Sequence, residues 1–460
     1  MPMKFAESDV GALPLTVLDP AGLADWLAGQ PGRVKAWVEA SGFEAKLGQA
    51  LAIPGEAGAP VAALGGWGDA RARARGRFHL AGIAGKLPAG VYRLESGLEG
   101  PELEAEALGW LLAGYAFDRY AKAAGVKARL LAPEGVDAAR LEAIAAGEKL
   151  TRDLINTPAS DMGPEALEAA CEELAGAFGA MVSVIRGDDL LARNFPMIHA
   201  VGRASAQAPR LIDMSWGEAG PSLTLVGKGV CFDTGGLNLK PGSSMGLMKK
   251  DMGGAATVLG LARMIMALGL KLRLRVLIPA VENAVAGNAM RPGDILTSRK
   301  GLTVEINNTD AEGRLVLGDA LAWAGEEPCD LLVSMATLTG AARVAVGPDL
   351  APYYCNDAGV VAALEAGAVA GCDPVWRMPF HDAYESVIEP GIADLDNAPG
   401  FGFAGSITAA LFLRRFADHP RYVHFDIYGH TPTEAPGRPK GGVGQGARAM
   451  LCGLPAMLGL

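Results

Sequence analysis

The sequence predicts an α/β protein with a smaller N-terminal α/β domain and a larger C-terminal α/β domain built on a mostly buried mixed sheet. Its 460 residues are enough for two or three domains at about 150 residues per domain. Half of the residues (50%) are hydrophobic, which allows a large core. From about residue 155 onward, short β-branched runs alternate with helical patterns, as in a sheet covered by helices.

Residues 1–140 are assigned to the smaller domain, for which we expect an accessory role in assembly. Helical apolar spacing occurs at residues 23–30 and 103–124. The alternating arginines of residues 71–78 are interpreted as the exposed face of a strand.

A linker helix is predicted over residues 141–155. Its Ala/Glu/Lys-rich pattern runs into Asn156-Thr157-Pro158, a helix-stop signal. The larger domain then comprises residues 156–460.

The larger domain contains six candidate strands and three candidate helices between them. The strands are residues 210–216, 222–232, 272–281, 303–308, 330–338 and 421–429, and the helices are residues 253–270, 314–326 and 405–418. In such domains ligands bind where the strands end.

The composition excludes several classes of function. The net charge of -10 argues against a protein that coats nucleic acid or an anionic membrane. Charged residues interrupt the first fifteen positions, which disfavours a signal peptide, and the apolar stretch 259–270 is too short to span a membrane. The six cysteines are widely separated, as expected of reduced thiols. We therefore expect a cytoplasmic protein with neither a nucleic-acid nor a membrane partner.

Two Gly-rich blocks, residues 226–256 and 306–321, place charged side chains inside apolar sequence. A buried strand does not tolerate unpaired charges, so this conflict is the most informative feature of the chain. The charged residues are Lys228, Asp233, Lys240, Asp251, Asp310, Glu312 and Arg314.

Four carboxylates of this kind can hold two divalent metal ions that activate water and polarise an acyl or phosphoryl oxygen. If the chain is extended there, Asp310, Glu312 and Arg314 point to one side. A lysine buried beside cations can lose its proton and serve as a ligand. Ordinary surface ion pairs are the alternative interpretation.

The segments NTDAEGRLVLGDAL (308–321), VGKGVCFDTGGLNLKP (226–241) and MKKDMGGAA (248–256) resemble the active-site blocks of the leucyl aminopeptidase family, cytosolic dinuclear-metal exopeptidases. The resemblance implies a homohexameric enzyme that removes Leu or another apolar residue from the N-terminus of peptides. It implies Zn²⁺ or Mn²⁺, with Mg²⁺ as an alternative. The implied metal ligands are Lys228, Asp233, Asp251, Asp310 and Glu312.

The same resemblance gives catalytic roles to Lys240, which polarises the scissile carbonyl, and Arg314, which holds a bicarbonate ion acting as general base. Recognition of the substrate side chain maps onto Met248, Asn308, Thr337, Leu338 and Gly340. Tyr428 departs from the pattern, because the family usually has a small residue there, and this puts the preference for Leu in question. Gly246 and Gly318 are milder departures.

Other hypotheses have weaker support. Gly242–Gly246 fits GxSxG, but Pro241 precedes it and no helical pattern follows directly. Gly400–Gly405 fits GxGxxG without a good preceding strand. No HExxH is present. A two-metal phosphohydrolase and a catalytically inactive scaffold or binding relative stay open as alternatives.

Overall fold

The computed structural model describes residues 3–123 and 125–460. The chain divides into two compact units, Met1–Lys149 with Pro432–Lys440 and Leu150–Thr431 with Gly441–Leu460. The division falls inside one long helix, Ala138–Asn156, which ends at the residue where the sequence predicts a stop. The predicted fold class, a smaller and a larger α/β domain, is confirmed.

Within its described residues, the first unit is built on a five-stranded sheet of order β2-β3-β1-β4-β5, in which only β2 and β3 are antiparallel. The strands are β1 (Leu13–Leu18), β2 (Ala50–Pro54), β3 (Pro60–Gly66), β4 (Gly90–Glu95) and β5 (Ala128–Leu130). The helices are α1 (Leu23–Ala28), α2 (Gly32–Ala40), α3 (Ala70–Arg73), α4 (His79–Ala84), α5 (Gly100–Ala113) and the part of α6 (Ala138–Asn156) up to Lys149.

Two predictions for this unit are wrong. The arginine-rich residues 71–78 form no strand, because the Asp69 side chain accepts a hydrogen bond from the Ala72 amide at 2.7 Å and starts the short helix α3. The pattern at 103–124 forms a helix only up to Ala113, since Gly114 follows and glycine is a poor helix former. Ala124, at the end of that pattern, lies outside the described residues.

In the described part of the second unit, the main sheet has nine strands in the order β15-β14-β17-β13-β8-β10-β7-β6, with β9 also paired to β10. Parallel and antiparallel pairs both occur. The strands are β6 (Met181–Arg186), β7 (Arg210–Trp216), β8 (Ser222–Gly227), β9 (Gly229–Asp233), β10 (Arg273–Asn283), β13 (Leu331–Ala336), β14 (Ala351–Tyr354), β15 (Val375–Met378) and β17 (Tyr422–Asp426).

Short strands form two smaller sheets, β11-β12-β16 and β18-β19. They are β11 (Ile295–Thr297), β12 (Thr303–Glu305), β16 (Leu395–Asp396), β18 (His430–Thr431) and β19 (Gly441–Gly442). The predicted strand 303–308 is therefore only partly a strand, and it lies outside the main sheet.

Helices cover the main sheet and begin near the ends of its central strands. They are α7 (Pro164–Phe178), α8 (Asp189–Ala192), α9 (Pro196–Gly202), α10 (Gly242–Met245), α11 (Gly253–Ala267), α12 (Gly313–Ala324), α13 (Gly340–Val346), α14 (Ala358–Ala370), α15 (Gly405–Ala417) and α16 (Ala447–Leu458), with 3-10 helices at Met248–Met252 and Asp382–Ile388. Every residue of β13 and β17 is buried, as predicted for a covered sheet.

Among the described residues, no helix has both the length and the apolar character needed to cross a membrane.

Candidate metal centre and cavity

The site is built where the predicted strand 222–232 breaks into β8 and β9 at Lys228. The Lys228 amide donates to the Met335 carbonyl at 3.0 Å, and the Lys228 carbonyl accepts from the Ala255 amide at 2.9 Å. A Cβ at Gly254 would lie 2.1 Å from the Met335 oxygen, so only glycine lets helix and strand come this close. The lysine is thereby fixed between two strands and the start of α11.

The Lys228 ammonium lies in a fully buried cluster. Its Nζ is 2.7 Å from Asp251 Oδ2, 2.9 Å from Glu312 Oε1 and 3.2 Å from the Thr337 carbonyl. The Thr337 hydroxyl donates to Asp251 Oδ1 at 2.8 Å. Three segments distant in sequence therefore meet at this lysine.

Lys240 makes the second part of the cluster. Its Nζ is 2.8 Å from Asp233 Oδ2 and 2.6 Å from Asp310 Oδ1. The other oxygen of Asp233 accepts from Asn283 Nδ2 at 2.9 Å and from the Gly235 amide at 2.8 Å. Asp233, the last residue of β9, is thus held in one orientation.

The cluster contains four carboxylates and two lysines, so negative charge is in excess. Burial, followed by the charge of Asp233, raises the pKa of Glu312 to about 8. Burial and Asp233 also raise the pKa of Asp310. Burial alone would lower the pKa of Lys228, but the charges of Asp251 and Glu312 raise it. The raised pKa values mean that the ionised carboxylates are short of compensating positive charge, which favours the binding of further cations.

The donor set fits divalent metal ions. One ligand oxygen each from Asp233, Asp310 and Glu312 lie within 4.8 Å of one another. Glu312 Oε2 is buried without a hydrogen-bond donor among the described residues. Carboxylate oxygens at such separations suit hard or borderline ions such as Mg²⁺, Mn²⁺ and Zn²⁺.

A cavity of about 440 Å³ opens beside the cluster. Most of the predicted site residues line it: Lys228, Asp233, Lys240, Met248, Asp251, Asp310, Thr337, Leu338 and Gly340. Tyr428, Ser243 and Ser244 also line it, whereas no histidine of the described chain does. A serine nucleophile in Gly242–Gly246 therefore has no imidazole base beside it in the cavity wall.

Three predicted residues do not line the cavity: Asn308, Glu312 and Arg314. Glu312 is buried beneath it against Lys228. Asn308 accepts a hydrogen bond from the Asp310 amide at 2.8 Å through its side-chain oxygen, which shapes the loop that carries Asp310.

Arg314 lies in the first turn of α12 and is also buried. Its Nε has no hydrogen-bond acceptor among the described residues. Burial lowers its pKa to about 10, although the charges of Asp426 and Glu312 act in the opposite direction. A buried guanidinium with an unused donor is suited to hold a small planar anion.

Sequence reasoning missed two cations of the cavity wall, Lys250 and Arg343. Lys250 is only 6% exposed, and burial lowers its pKa to about 8. Lys250 could have been found from the sequence, because it is a charged residue next to Asp251 in the Gly-rich block MKKDMGGAA. The same kind of pattern identified Lys228. Arg343 lies on α13 and carries no comparable signal.

Comparisons with known proteins agree with this architecture. The model of the cytosol aminopeptidase family, catalytic domain, matches residues 149–451, and that of the M17 aminopeptidase, N-terminal domain, matches residues 13–133. A probable cytosol aminopeptidase of Syntrophotalea carbinolica is 37% identical over 456 residues, which cover 90% of each chain.

Two solved structures are similar throughout. The crystal structure of the cytosol aminopeptidase from Coxiella burnetii has a TM-score of 0.93 at 42% identity and covers 100% of both chains. The bottromycin maturation enzyme BotP in complex with Mn has a TM-score of 0.87 at 32% identity and covers 97% of this chain and 99% of that one.

Fold, charged cluster and comparisons together define a metal-dependent hydrolase. The resemblance carried by the two Gly-rich blocks is thereby confirmed. The chain belongs to the cytosol aminopeptidase family, whose members are metalloexopeptidases.

Proposed function

We propose that the chain hydrolyses the N-terminal peptide bond of peptides with two divalent metal ions, and that it accepts Leu and other apolar first residues. The observation that carries this proposal is the convergence of four carboxylates on two lysines beside the cavity. The proposed metal ligands are Asp233, Asp251, Asp310, Glu312 and Lys228, whose amine would bind a metal ion after losing its proton.

Zn²⁺ or Mn²⁺, with Mg²⁺ as an alternative, would supply an activated water and a polarised substrate carbonyl when bound. Lys240 would stabilise negative charge that develops on that carbonyl, because Asp233 and Asp310 hold its ammonium in place. Arg314 would hold bicarbonate as a general base, for which its unused buried Nε is the supporting observation.

Substrate recognition is assigned to residues around Met248. Met248 and Leu338 give the cavity apolar surface, while Thr337 and Gly340 complete the same wall. Asn308 would act through the Asp310 loop. Peptides as substrates, a homohexameric assembly and a cytoplasmic location belong to the same proposal and rest on family membership.

Metal analysis combined with hydrolysis of leucyl-p-nitroanilide, with and without added Mn²⁺, tests the proposal. Glu312→Ala is expected to lose metal and activity together, whereas Lys240→Ala keeps metal and loses turnover. Lys271→Ala, at an exposed position, is the control and should match the wild type.

Two results would overturn the proposal. One is a metal-loaded protein that cleaves no N-terminal residue from any peptide, as expected of an inactive relative. The other is hydrolysis of p-nitrophenyl phosphate in place of the leucyl substrate. Full kcat in Lys240→Ala would contradict the role given to that lysine.

A further inference from the structure

The cavity wall has a cationic side that the proposed chemistry does not use. Two cations lie near the aromatic ring of Tyr428, with Lys250 Nζ 5.3 Å and Arg343 Cζ 4.9 Å from its centroid. All three residues line the cavity that Met248 and Leu338 also line. The Tyr428 amide donates to Gln445 Oε1 at 2.9 Å, which anchors the backbone of this wall.

The carboxylates of the cluster are already engaged by other lysines. Lys228 contacts Asp251 and Glu312, and Lys240 contacts Asp233 and Asp310. These contacts are all 2.9 Å or shorter.

Lys250 and Arg343 lack an equivalent partner. The carboxylate nearest to Lys250 is that of Asp251, whose Oδ1 is 3.9 Å from its Nζ and already accepts from the Thr337 hydroxyl. The Lys250 side chain is only 7% exposed, so water compensates its charge poorly. Within the described chain, no carboxylate lies within 4.0 Å of Arg343. In the described chain, neither cation therefore has a carboxylate within hydrogen-bond distance.

We propose that Lys250 and Arg343 bind the side-chain carboxylate of an N-terminal glutamate or aspartate, so that acidic peptides are substrates alongside apolar ones. This inference rests on the proposed aminopeptidase function and specifies the substrate class of the same cavity. The methylene groups of glutamate would pack on Met248 and Leu338, and its carboxylate would accept charge-assisted hydrogen bonds from the two cations.

Apolar first residues are compatible with the same wall. The aliphatic stem of Lys250 and the ring of Tyr428 offer apolar contact, as long cationic side chains often do. The structure thus predicts that the cavity distinguishes first residues of nearly equal shape by their charge. Glutamate and glutamine are such a pair, so their comparison is the informative one.

The test compares kcat/KM for glutamyl- and glutaminyl-p-nitroanilide on the Mn²⁺-loaded full chain. The wild type is expected to favour the glutamyl substrate by about tenfold or more, the usual scale for a hydrogen bond to a charged group. Lys250→Met and Arg343→Met should each reduce this ratio, and the double variant should bring it close to one. Lys271→Met, an exposed lysine outside the cavity, should leave the ratio unchanged.

A wild-type ratio of one or less, or a ratio that neither substitution lowers, would overturn the inference. Because Lys250 adjoins Asp251, its variant can also perturb the cluster, whereas Arg343 is exposed and its variant decides the matter independently.

Calorimetric titration of free L-glutamate and L-glutamine separates this inference from the proposed function. If neither leucyl nor glutamyl substrate is cleaved, the proposed function fails. Tighter binding of glutamate that Arg343→Met removes would still support the cationic pocket. Equal binding of the two amino acids would refute it.

Discussion

Substitution of Gly313 tests how firmly the fold holds Lys228. Gly313 follows Glu312 and begins α12. A Cβ at this position would lie 2.5 Å from Lys228 Cε and 2.6 Å from Lys228 Nζ, where ordinary contacts are 3.4–4 Å. In Gly313→Ala, the end of the lysine side chain must therefore retreat by about 1 Å.

That retreat has two costs. Lys228 Nζ lies 2.7 Å from Asp251 and 2.9 Å from Glu312, so a shift of this size breaks at least one of these contacts. Overpacking a core costs about 1–3 kcal/mol, and leaving a buried ion pair without its partner costs about 3–5 kcal/mol. Because the lysine is flexible, we expect the lower range, a loss of about 1–3 kcal/mol in the free energy of unfolding. Misplacing a proposed ligand should also weaken Mn²⁺ binding by about 10–100-fold.

Urea denaturation of the metal-free protein and calorimetric titration with Mn²⁺ measure the two effects. Gly287→Ala is the matched control, because nothing lies within 4 Å of a Cβ at that position. If Gly313→Ala folds with wild-type stability and binds Mn²⁺ as tightly as the wild type, the reasoning about Lys228 is refuted.

Three further predictions concern His424, Asp319 and Tyr428. Burial, and then the charge of Arg314, lowers the pKa of His424 to about 3 from 6.5. Between pH 6.5 and 3, only the unfolded chain gains a proton at this histidine. The metal-free wild type should therefore lose about 1.4 kcal/mol of unfolding free energy between pH 7.5 and 5.5. Urea titrations should show that His424→Gln does not have this loss. Asp319→Ala removes a buried acceptor for the first amides of α9 and should lower the free energy of unfolding by about 2–4 kcal/mol. The variant should therefore have a lower Tm, and an unchanged Tm would contradict this. Tyr428→Ala should raise kcat/KM for bulky relative to alanyl first residues, and an unchanged preference would exclude Tyr428 as a pocket wall.

Local signals in the sequence predict much of the larger unit. The predicted strand 210–216 coincides with β7, because an apolar β-branched run between turn residues is a local property. Lys228 and Asp233 could be identified as site candidates since charges inside apolar, Gly-rich sequence need a buried partner. The structure gives Lys228 such partners in Asp251 and Glu312.

Other features depend on partners far along the chain, which the local pattern does not contain. Residues 303–308 read as a strand, but β12 pairs with β16 instead of joining the main sheet. Lys250 and Tyr428 approach each other only because the folded main sheet brings their segments together, so neither residue alone indicates a cationic pocket. The charge of that wall follows from tertiary structure.

The direct backbone contact at Lys228 fixes the spacing between α11 and the strands, even where the surrounding core tolerates substitutions. Gly227 and Gly254 leave no side-chain layer between the start of α11 and the strands it touches. Substitutions in the surrounding core can therefore loosen side-chain packing without changing the distance between the start of α11 and the strands. We expect the amides of Lys228 and Ala255 to be among the slowest of the chain to exchange with deuterium, and core variants that lower the free energy of unfolding should lower their protection to the same extent.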